Sequence, residues 1–249
     1  MRGALLSSVM LAAACYQPAI QSGVPCSRSG ECPGGEACVE GVCGGTVTGP
    51  DAPDVPDAMP DAMIDAPPGS TLFVAGADKT QLRDTEVASF DPAVNFGSDN
   101  HFSVDDPEVG LLWFDLSDAP GGLTLVKATL RVVTTDEADE DGKTVLVYRM
   151  LESWTEAEAT WTMRAGNTPW SSPGAAPPSR AATPIATLSP KQVRTPYQVE
   201  LPVDVVSAWL ADPAQNFGLA FVRGTSGQHI HFGSRETNAW TTLTLELRP

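Results

Sequence analysis

Hydrophobic and polar positions alternate, with the two-residue period of an extended chain, along much of the sequence after residue 70. In the segment 110–117, Leu112, Phe114 and Leu116 share one face, while Trp113 points to the other. Similar alternating runs occupy residues 123–133, 144–148 and 197–201. Because turn-forming glycines and prolines separate these runs, we predict an all-β fold, a two-sheet jelly-roll-like β-sandwich, for residues 71–249.

One segment has helical spacing instead. Residues 203–211 place Val205, Val206 and Trp209 on one side of a helix, because positions three and four apart lie on the same face. The composition otherwise agrees with many strands and turns, since the 249 residues include 22 glycines and 22 prolines and only 18% are charged. No apolar run reaches the roughly 20 residues that a membrane-spanning helix needs.

The N-terminal residues have the pattern of an export signal. Residues 1–14 carry one positive charge, Arg2, followed by an apolar stretch that ends in small residues. The sequence Leu11-Ala-Ala-Ala-Cys15 resembles the bacterial lipobox, although Ala12 stands where leucine is usual. The resemblance implies that Cys15 becomes lipidated and forms the mature N terminus. An ordinary signal peptide is the alternative.

Four further cysteines lie close together, namely Cys26, Cys32, Cys38 and Cys43. An exported chain meets an oxidising compartment, so this even set predicts two disulfides, with the connectivity left open. A four-cysteine zinc site is the rival, but zinc ligands usually come in closer pairs. Residues 15–43 are therefore interpreted as a lipidated N terminus followed by a disulfide-rich segment.

Residues 44–70 have the composition of a linker. A Pro-Asp-Ala theme recurs between Asp51 and Pro67. Frequent proline favours extended polyproline II structure, and the like-charged aspartates repel one another. We expect a disordered stalk that holds the β-sandwich away from the lipid anchor.

The formal net charge of −16 argues against two kinds of partner. A nucleic-acid partner is not expected, because phosphate contacts require a basic surface. The same balance disfavours polyanionic ligands. The sequence also lacks a P-loop, a dinucleotide-binding glycine motif and the Gly-x-Ser-x-Gly nucleophile elbow.

Two tryptophans bracket two carboxylates in the stretch from Trp154 to Trp161. Each indole buries on the order of 200 Å², so the pair is expected to pin a loop against a sheet. Glu156 and Glu158 could instead be the paired acids of a glycosidase, which lie roughly 5 to 10 Å apart. We favour the structural interpretation, because nothing beside the pair would raise the pKa of one carboxyl above that of the other.

Short motifs follow one another along residues 72–249: Asp84-Thr-Glu-Val87, Asn95-Phe-Gly-Ser98, Phe114-Asp-Leu-Ser117, Ala128-Thr-Leu-Arg131, Trp154-Thr-Glu156, Thr160-Trp161, Asp204 with Val205 and Trp209, Phe217-Gly-Leu-Ala220 and Ser234-Arg-Glu236. In this order they resemble the DNRLRE domain family, which is related to carbohydrate-binding module family 96 and to disaggregatase-type proteins. The resemblance implies a jelly-roll sandwich that serves as an accessory, glycan-binding or surface module. It also implies that most of the matched residues form turns and core.

Trp113 departs from this resemblance, because family members often have a charged or polar residue there. Its indole is either covered by a loop such as residues 171–186 or exposed as a stacking platform for a sugar. We name Trp113 and Tyr148 as candidate ligand-binding aromatics. If both are exposed on one concave face, glycan binding is favoured.

His229 and His231 are the other candidate ligand-binding residues. They flank Ile230 on a predicted strand, so both imidazoles share one face. This spacing suits a metal ion that takes a third ligand, such as a carboxylate. Two histidines that simply face solvent are the alternative.

No cofactor is certain, and a structural calcium ion is possible. The acidic segment 136–142 imitates half of an EF-hand loop, but Tyr148 stands where the bidentate glutamate is needed. We therefore expect that segment to be a solvated hairpin tip. A calcium ion at the rim of the sheet would use Asp84 or Glu86 instead.

These features predict an exported, membrane-anchored lipoprotein of the outer membrane or cell surface. It would display a non-catalytic, carbohydrate-binding β-sandwich whose partner is a glycan or another cell-surface molecule. One alternative is a polysaccharide-cleaving enzyme that uses Glu156 or Glu158. The other is a purely structural envelope module or spacer.

Overall fold

The computed structural model describes residues 69–225, 227, 229–237 and 241–249, and the backbone of two short strands nearer the N terminus. Those strands, β1 (Cys38–Val39) and β2 (Val42–Cys43), pair antiparallel with Cys38 opposite Cys43. The predicted signal peptide, Cys15, Cys26, Cys32 and the linker up to residue 68 lie outside the described residues, as do the side chains of Cys38 and Cys43. Lipidation, disulfides and the stalk therefore stay predictions.

The chain divides into two compact units, and the second, Asp61–Pro249, contains the β-rich fold. Its strands are β3 (Thr71–Ala75), β4 (Leu82–Ala88), β5 (His101–Val104), β6 (Glu108–Phe114), β7 (Thr124–Val133), β8 (Val145–Arg149), β9 (Met163–Ala165), β10 (Thr168–Pro169), β11 (Ala186–Leu188), β12 (Pro196–Leu201), β13 (Leu219–Arg223), β14 (Ile230–Gly233) and β15 (Thr242–Arg248). Helix α1 (Val203–Ala211) and the 3₁₀ turns Lys79–Gln81 and Pro213–Gln215 lie between strands. In the described part of the chain, no helix is long and apolar enough to cross a membrane.

Two antiparallel sheets build the body of this unit. One has five strands in the order β11-β8-β13-β6-β4, and the other has four in the order β12-β7-β15-β3. The alternating runs of the sequence correspond to β6, β7, β8 and β12, with ends displaced by at most a few residues. The predicted all-β sandwich is confirmed.

Alternate side chains of both sheets fill the space between them. Leu112 and Phe114 of β6 belong to the same buried cluster as Leu130 and Val132 of β7. Leu130 is paired with Leu243 of β15, which is also fully buried. The period of two along each strand thus places one apolar row of each sheet in a common core.

The two-stranded pair of β5 and β14 links the two sheets. Phe102 of β5 packs with Phe221 and Phe232, and its ring centroid lies 5.6 and 5.4 Å from theirs. Gly110 of β6 makes room for it, because a Cβ there would come within 2.6 Å of the Phe102 ring. On the other side, Phe232 forms a bridge with Thr134 at the end of β7. Because the phenylalanines point inward, the opposite face of this pair points outward and carries the histidines.

The outer face of the five-stranded sheet is apolar as well. Leu111 of β6 and Ala220 of β13 lie on this face and are fully buried. They are covered by the connection between β8 and β11, residues 150–185, which we call the covering loop. Trp154 and Trp170 of the loop are buried in this second cluster, and Trp161 packs against it. The expectation that the tryptophan stretch pins a loop against a sheet is confirmed.

Helix α1 packs on the core at the predicted place. Val206 and Trp209 are buried in the core cluster, and Val205 packs against it. Asp204 in the first turn complements the positive end of the helix dipole. The helix ends at Ala211, shortly before a proline that cannot continue it. The predicted helix at residues 203–211 is confirmed.

The acidic segment 136–142 differs from expectation. Asp139 is buried, and its carboxylate lies 2.6 Å from the Arg223 guanidinium of β13, with side-chain exposures of 1% and 2%. The same carboxylate accepts the backbone N–H of Asp141 at 3.1 Å. The prediction of a solvated tip was wrong for Asp139. Its partner, Arg223, lies 84 positions away in the sequence, so the local acidic pattern gave no sign of the buried pair.

The buried pair gives a test of the fold. Arg223→Met removes the cation and leaves the Asp139 carboxylate buried, which is expected to lower the free energy of unfolding by about 3 to 5 kcal/mol. Lys127→Met is the matched control, because Lys127 pairs with Glu200 at 2.9 Å while both side chains are about half exposed or more. We expect the control to cost less than about 1 kcal/mol. Urea unfolding measures both, and equal losses would contradict the buried pair.

Candidate functional site

A cleft of about 340 Å³ lies on the outer side of the five-stranded sheet, where residues between 161 and 180 of the covering loop meet Val109 and Val222. Trp161, Arg180 and Val222 line it together with the turn at residues 105–107. Small-molecule sites span roughly 300 to 1,000 Å³, so the cleft has room for a small group. Its walls combine an aromatic surface with charges of both signs.

Trp161 is held in place by the backbone of the covering loop. Gly174 has a φ of +68° and lies against the six-membered ring of the indole, so that a Cβ there would be 2.4 Å from a ring carbon. The N–H of Gly174 also donates to the carbonyl of Trp161 at 2.7 Å. Glycine meets both requirements, the positive φ and the close approach, without strain. The indole is therefore fixed at the wall of the cleft.

Arg180 sits beside Trp161 and above Tyr148. Its Cζ lies 5.1 Å from the centre of the Tyr148 ring, and its Nη1 donates to the carbonyl of Ala175 at 2.9 Å. Burial lowers the pKa of the guanidinium, because desolvation disfavours its charged form, yet arginine stays charged in proteins. Tyr148 is half-buried beneath a cation.

Trp113 faces away from Phe114, as the alternation predicts, and packs against the second cluster. Its indole N–H donates to the carbonyl of Asn216 at 2.8 Å. The guanidinium of Arg83 lies over the ring, 4.2 Å from its centroid. The structure therefore places Trp113 and Tyr148 on the same face of the sheet, both half-buried and each beneath an arginine.

Glu156 lies at the free edge of β4. Its Oε1 accepts the backbone N–H of Asp84 at 2.9 Å, and its Oε2 lies 2.8 Å from Nη2 of Arg235. The backbone N–H of Arg235 donates to Asp84 Oδ2 at 2.8 Å. We call Asp84, Glu156 and Arg235 the edge network. It satisfies a strand edge that would otherwise expose unpaired amide groups, and it ties the covering loop to that edge.

Asn95 holds the same part of the loop from another side. Its Nδ2 donates to the carbonyls of Glu156 and Ala159 at 2.7 and 2.8 Å. Glu158, in contrast, is exposed and lies beside Gly166. Neither glutamate lines the cleft beside Trp161. The motif residues here position the loop, which agrees with the role in turns and core that the resemblance implies.

The histidines share one face of the β5–β14 pair. The ring centroids of His229 and His231 are 6.4 Å apart, and His101 stacks on His231 with centroids 3.9 Å apart. His231 Nδ1 lies 3.0 Å from Asp136 Oδ1, and His229 Nε2 lies 2.8 Å from Asp105 Oδ2. Each of the two predicted histidines therefore has a carboxylate beside it.

The possible calcium ligands have internal partners. Asp84 accepts the amide of Arg235, and Oε2 of Glu86 accepts the amide of Ser103. Both carboxylates are buried. Their oxygens satisfy backbone donors where strands and loops meet.

Sequence reasoning missed several residues of the cleft. It assigned Trp161 to the pinning of a loop and singled out neither Arg180 nor Asp105. The alternation pattern cannot find them, because they lie in connections. The one local signal is the Asp-Asp-Pro run at residues 105–107, which is typical of a tight turn before a strand.

The edge network gives a pH-dependent prediction. Burial raises the pKa of Asp84 from its ordinary 3.8 to about 7, against the lowering effect of the Arg235 amide and with help from the nearby Glu236 and Glu156 charges. The pKa of Asp84 is therefore higher in the folded protein than in the unfolded chain. For this reason its contribution to the free energy of unfolding is fully present below about pH 4 and is lost as the pH rises through about 7. Asp84→Asn should therefore flatten the pH dependence of stability in this window, by at most about 1.4 kcal/mol per pH unit.

Urea unfolding at a series of pH values measures this effect. Asp78→Asn is the matched control: Asp78 is exposed and the hydrogen bond from the Thr80 amide lowers its pKa, so its contribution is lost only at more acidic pH. The control should keep the wild-type slope. An unchanged slope in Asp84→Asn would show that Asp84 titrates normally in the folded protein.

Comparison with known proteins agrees with this architecture. The sequence profile of carbohydrate-binding module family 96 matches residues 76–248, which is more than half of the 249 residues. No curated protein matches the chain significantly. The matched range includes the covering loop, the cleft, the edge network and every strand of the two sheets except β3. The chain therefore belongs to carbohydrate-binding module family 96.

Proposed function

We propose that the β-sandwich binds a neutral glycan in the cleft beside Trp161 and does not cleave it. The observation that carries this proposal is the composition of the cleft, where an immobilised indole stands among charged side chains of both signs. Apolar sugar faces stack on aromatic rings, and sugar hydroxyls take hydrogen bonds from polar groups placed around them.

The charges of the cleft favour a neutral ligand. Asp105 and Asp106 can accept hydrogen bonds from hydroxyl groups, and Arg180 can donate them, whereas the Arg223 guanidinium is buried against Asp139. The Asp105 and Asp106 carboxylates outnumber the Arg180 guanidinium, so an anionic sugar gains no net attraction there. The net charge of −16 of the whole chain would also slow the approach of a polyanion.

The absence of cleavage is supported by the position of Glu156. Its two oxygens are engaged with the Asp84 amide and with Arg235. Burial raises the pKa of Glu156, as in many catalytic acids, but the cause here is its packed place at a strand edge. Glu158 is exposed. A pair of acids placed across a sugar, which glycoside hydrolysis requires, is not formed by these two glutamates.

Trp113 and Tyr148 remain the second candidate for the sugar platform. Arg83 is exposed, so a ligand that displaced its guanidinium would reach the face of Trp113. We favour Trp161, because it lines a cleft and no cation from the described residues stacks on its ring. The histidines His229 and His231 lie beyond the Asp105 side of the cleft.

We further propose that this module is displayed at the cell surface. Removal of residues 1–14, lipidation of Cys15, two disulfides among Cys26, Cys32, Cys38 and Cys43, and an extended stalk at residues 44–70 would together present the sandwich away from the membrane. The composition of these segments supports this arrangement.

A glycan array with purified protein tests the ligand. Trp161→Ala is expected to weaken binding to the best neutral glycan by about 30-fold, the effect of losing about 2 kcal/mol at an aromatic anchor. Trp113→Ala, measured beside it, should keep most of the affinity. Melting temperatures of both variants separate a loss of binding from a loss of folding.

Other outcomes would decide between the alternatives. Loss of binding in Trp113→Ala alone would move the platform to that residue. If no glycan binds the wild-type protein, the module is a spacer or binds another surface molecule. Release of reducing sugar that disappears in Glu156→Gln would show an enzyme.

Lipid anchoring is tested by fractionation of cells that express the full chain. Cys15→Ser should move the protein from the membrane to the soluble fraction, because more than one acyl chain is needed for stable anchoring and all would be lost. Cys26→Ser, which changes a cysteine outside the lipobox, should stay with the membrane. A Cys15→Ser protein that remains membrane-bound would contradict lipidation at Cys15.

A further inference from the structure

A cluster of metal-ligating side chains lies at the rim of the cleft. Asp105 and Glu108 are the end residues of the tight turn between β5 and β6, in which the Glu108 amide donates to the Asp105 carbonyl at 2.9 Å. The two residues also form an antiparallel bridge pair. Paired residues of antiparallel strands direct their side chains to the same face, so the carboxylates are neighbours.

Strand β14 brings a histidine to the same place. Its first pair with β5 joins Ile230 to Val104, so that His229 comes level with Asp105. The Nε2 atom of His229 lies 2.8 Å from Asp105 Oδ2, and its Nδ1 atom lies 3.8 Å from Glu108 Oε2. One ligand atom from each of the three residues lies within 4.8 Å of the other two.

Glu108 distinguishes this cluster from an ordinary surface ion pair. Its side chain is buried, with the residue only 4% exposed, and Oε2 has no hydrogen-bond partner among the described residues. This oxygen is directed at the His229 ring. A buried carboxylate oxygen without a donor is costly, and it calls for a missing partner such as an ion.

We propose that Asp105, Glu108 and His229 bind a divalent first-row transition metal ion, with Zn²⁺ as the probe of choice. One imidazole and two carboxylates form a three-ligand set that leaves a further position for water or a ligand. The imidazole disfavours calcium and magnesium, which take oxygen ligands. Because Asp105 also lines the cleft, the ion would lie at its rim.

A neighbouring set shares His229 and supplies the control. Glu137, His229 and His231 also have ligand atoms within 4.8 Å of one another. Glu137 is about half exposed, and its Oε2 lies 3.8 Å from His231 Nε2. A solvated carboxylate needs no ion, so this set lacks the unsatisfied buried oxygen that marks the set with Glu108.

Titration of the full chain with Co²⁺ and Zn²⁺ tests the proposal. We expect one ion per chain at this site, with visible Co²⁺ absorption that lacks the thiolate charge-transfer bands of a cysteine site. Glu108→Gln should weaken binding by about 100-fold or more, since even residues that only support a ligand change metal affinity 10- to 100-fold. Glu137→Gln, the matched control, should bind like the wild type.

A second variant tests the same site in case Glu108→Gln loses metal binding only because it misfolds. His229 is about half exposed, so His229→Gln should keep the wild-type circular dichroism and melting temperature while losing the ion. Binding that survives in both His229→Gln and Glu108→Gln would overturn the proposal. So would Co²⁺ spectra with thiolate bands alone, or a loss of binding in Glu137→Gln without one in Glu108→Gln.

Discussion

The five-stranded sheet is apolar on both faces, and the rest of the molecule depends on this constraint. Leu111 and Leu112 are adjacent in β6, point to opposite faces and are both fully buried. In many antiparallel sandwiches one face of each sheet meets water and reads as polar. Here the outer face must be covered, and the covering loop does so with Trp154 and Trp170. The cleft lies where that cover ends, beside Trp161 and Val222.

A loop without long strands of its own needs attachment points, and the edge network provides them. Glu156 replaces a neighbouring strand at the β4 edge by accepting the Asp84 amide, and Arg235 offsets its charge. The network places the carboxylates of Asp84 and Glu156 where they are largely shielded from water. Because this disfavours their charged forms, the pKa of each is raised. Perturbed acids here belong to the architecture of a strand edge, although the same property elsewhere often marks catalysis.

The fold could be predicted from local pattern, and the site could not. Alternation identified β6 and β7, and the spacing of Val206 and Trp209 identified α1, because each signal lies within one element. The cleft instead joins a turn, a loop and a strand: Asp105, Arg180 and Val222 are far apart in sequence, and no period relates them. Trp113 was named as a candidate platform because it faces away from Phe114 at a position where the resembled family often has a charged or polar residue, and both features are visible in the sequence. The arginine above it, Arg83, comes from the neighbouring strand β4 and is not visible there.

Asp105 connects the proposed glycan site with the proposed metal site. It lines the cleft and lies 2.8 Å from His229, so its charge serves both. With no ion bound, the Asp105 and Asp106 carboxylates outnumber the Arg180 guanidinium at the cleft. A divalent cation held by Asp105 and Glu108 would shift that balance towards positive charge within a few ångströms, where attraction is weakly screened. If both proposals hold, the sign of the potential that a sugar would meet in the cleft is set by Asp105 and Glu108 of the turn between β5 and β6, rather than by the net charge of the chain as a whole.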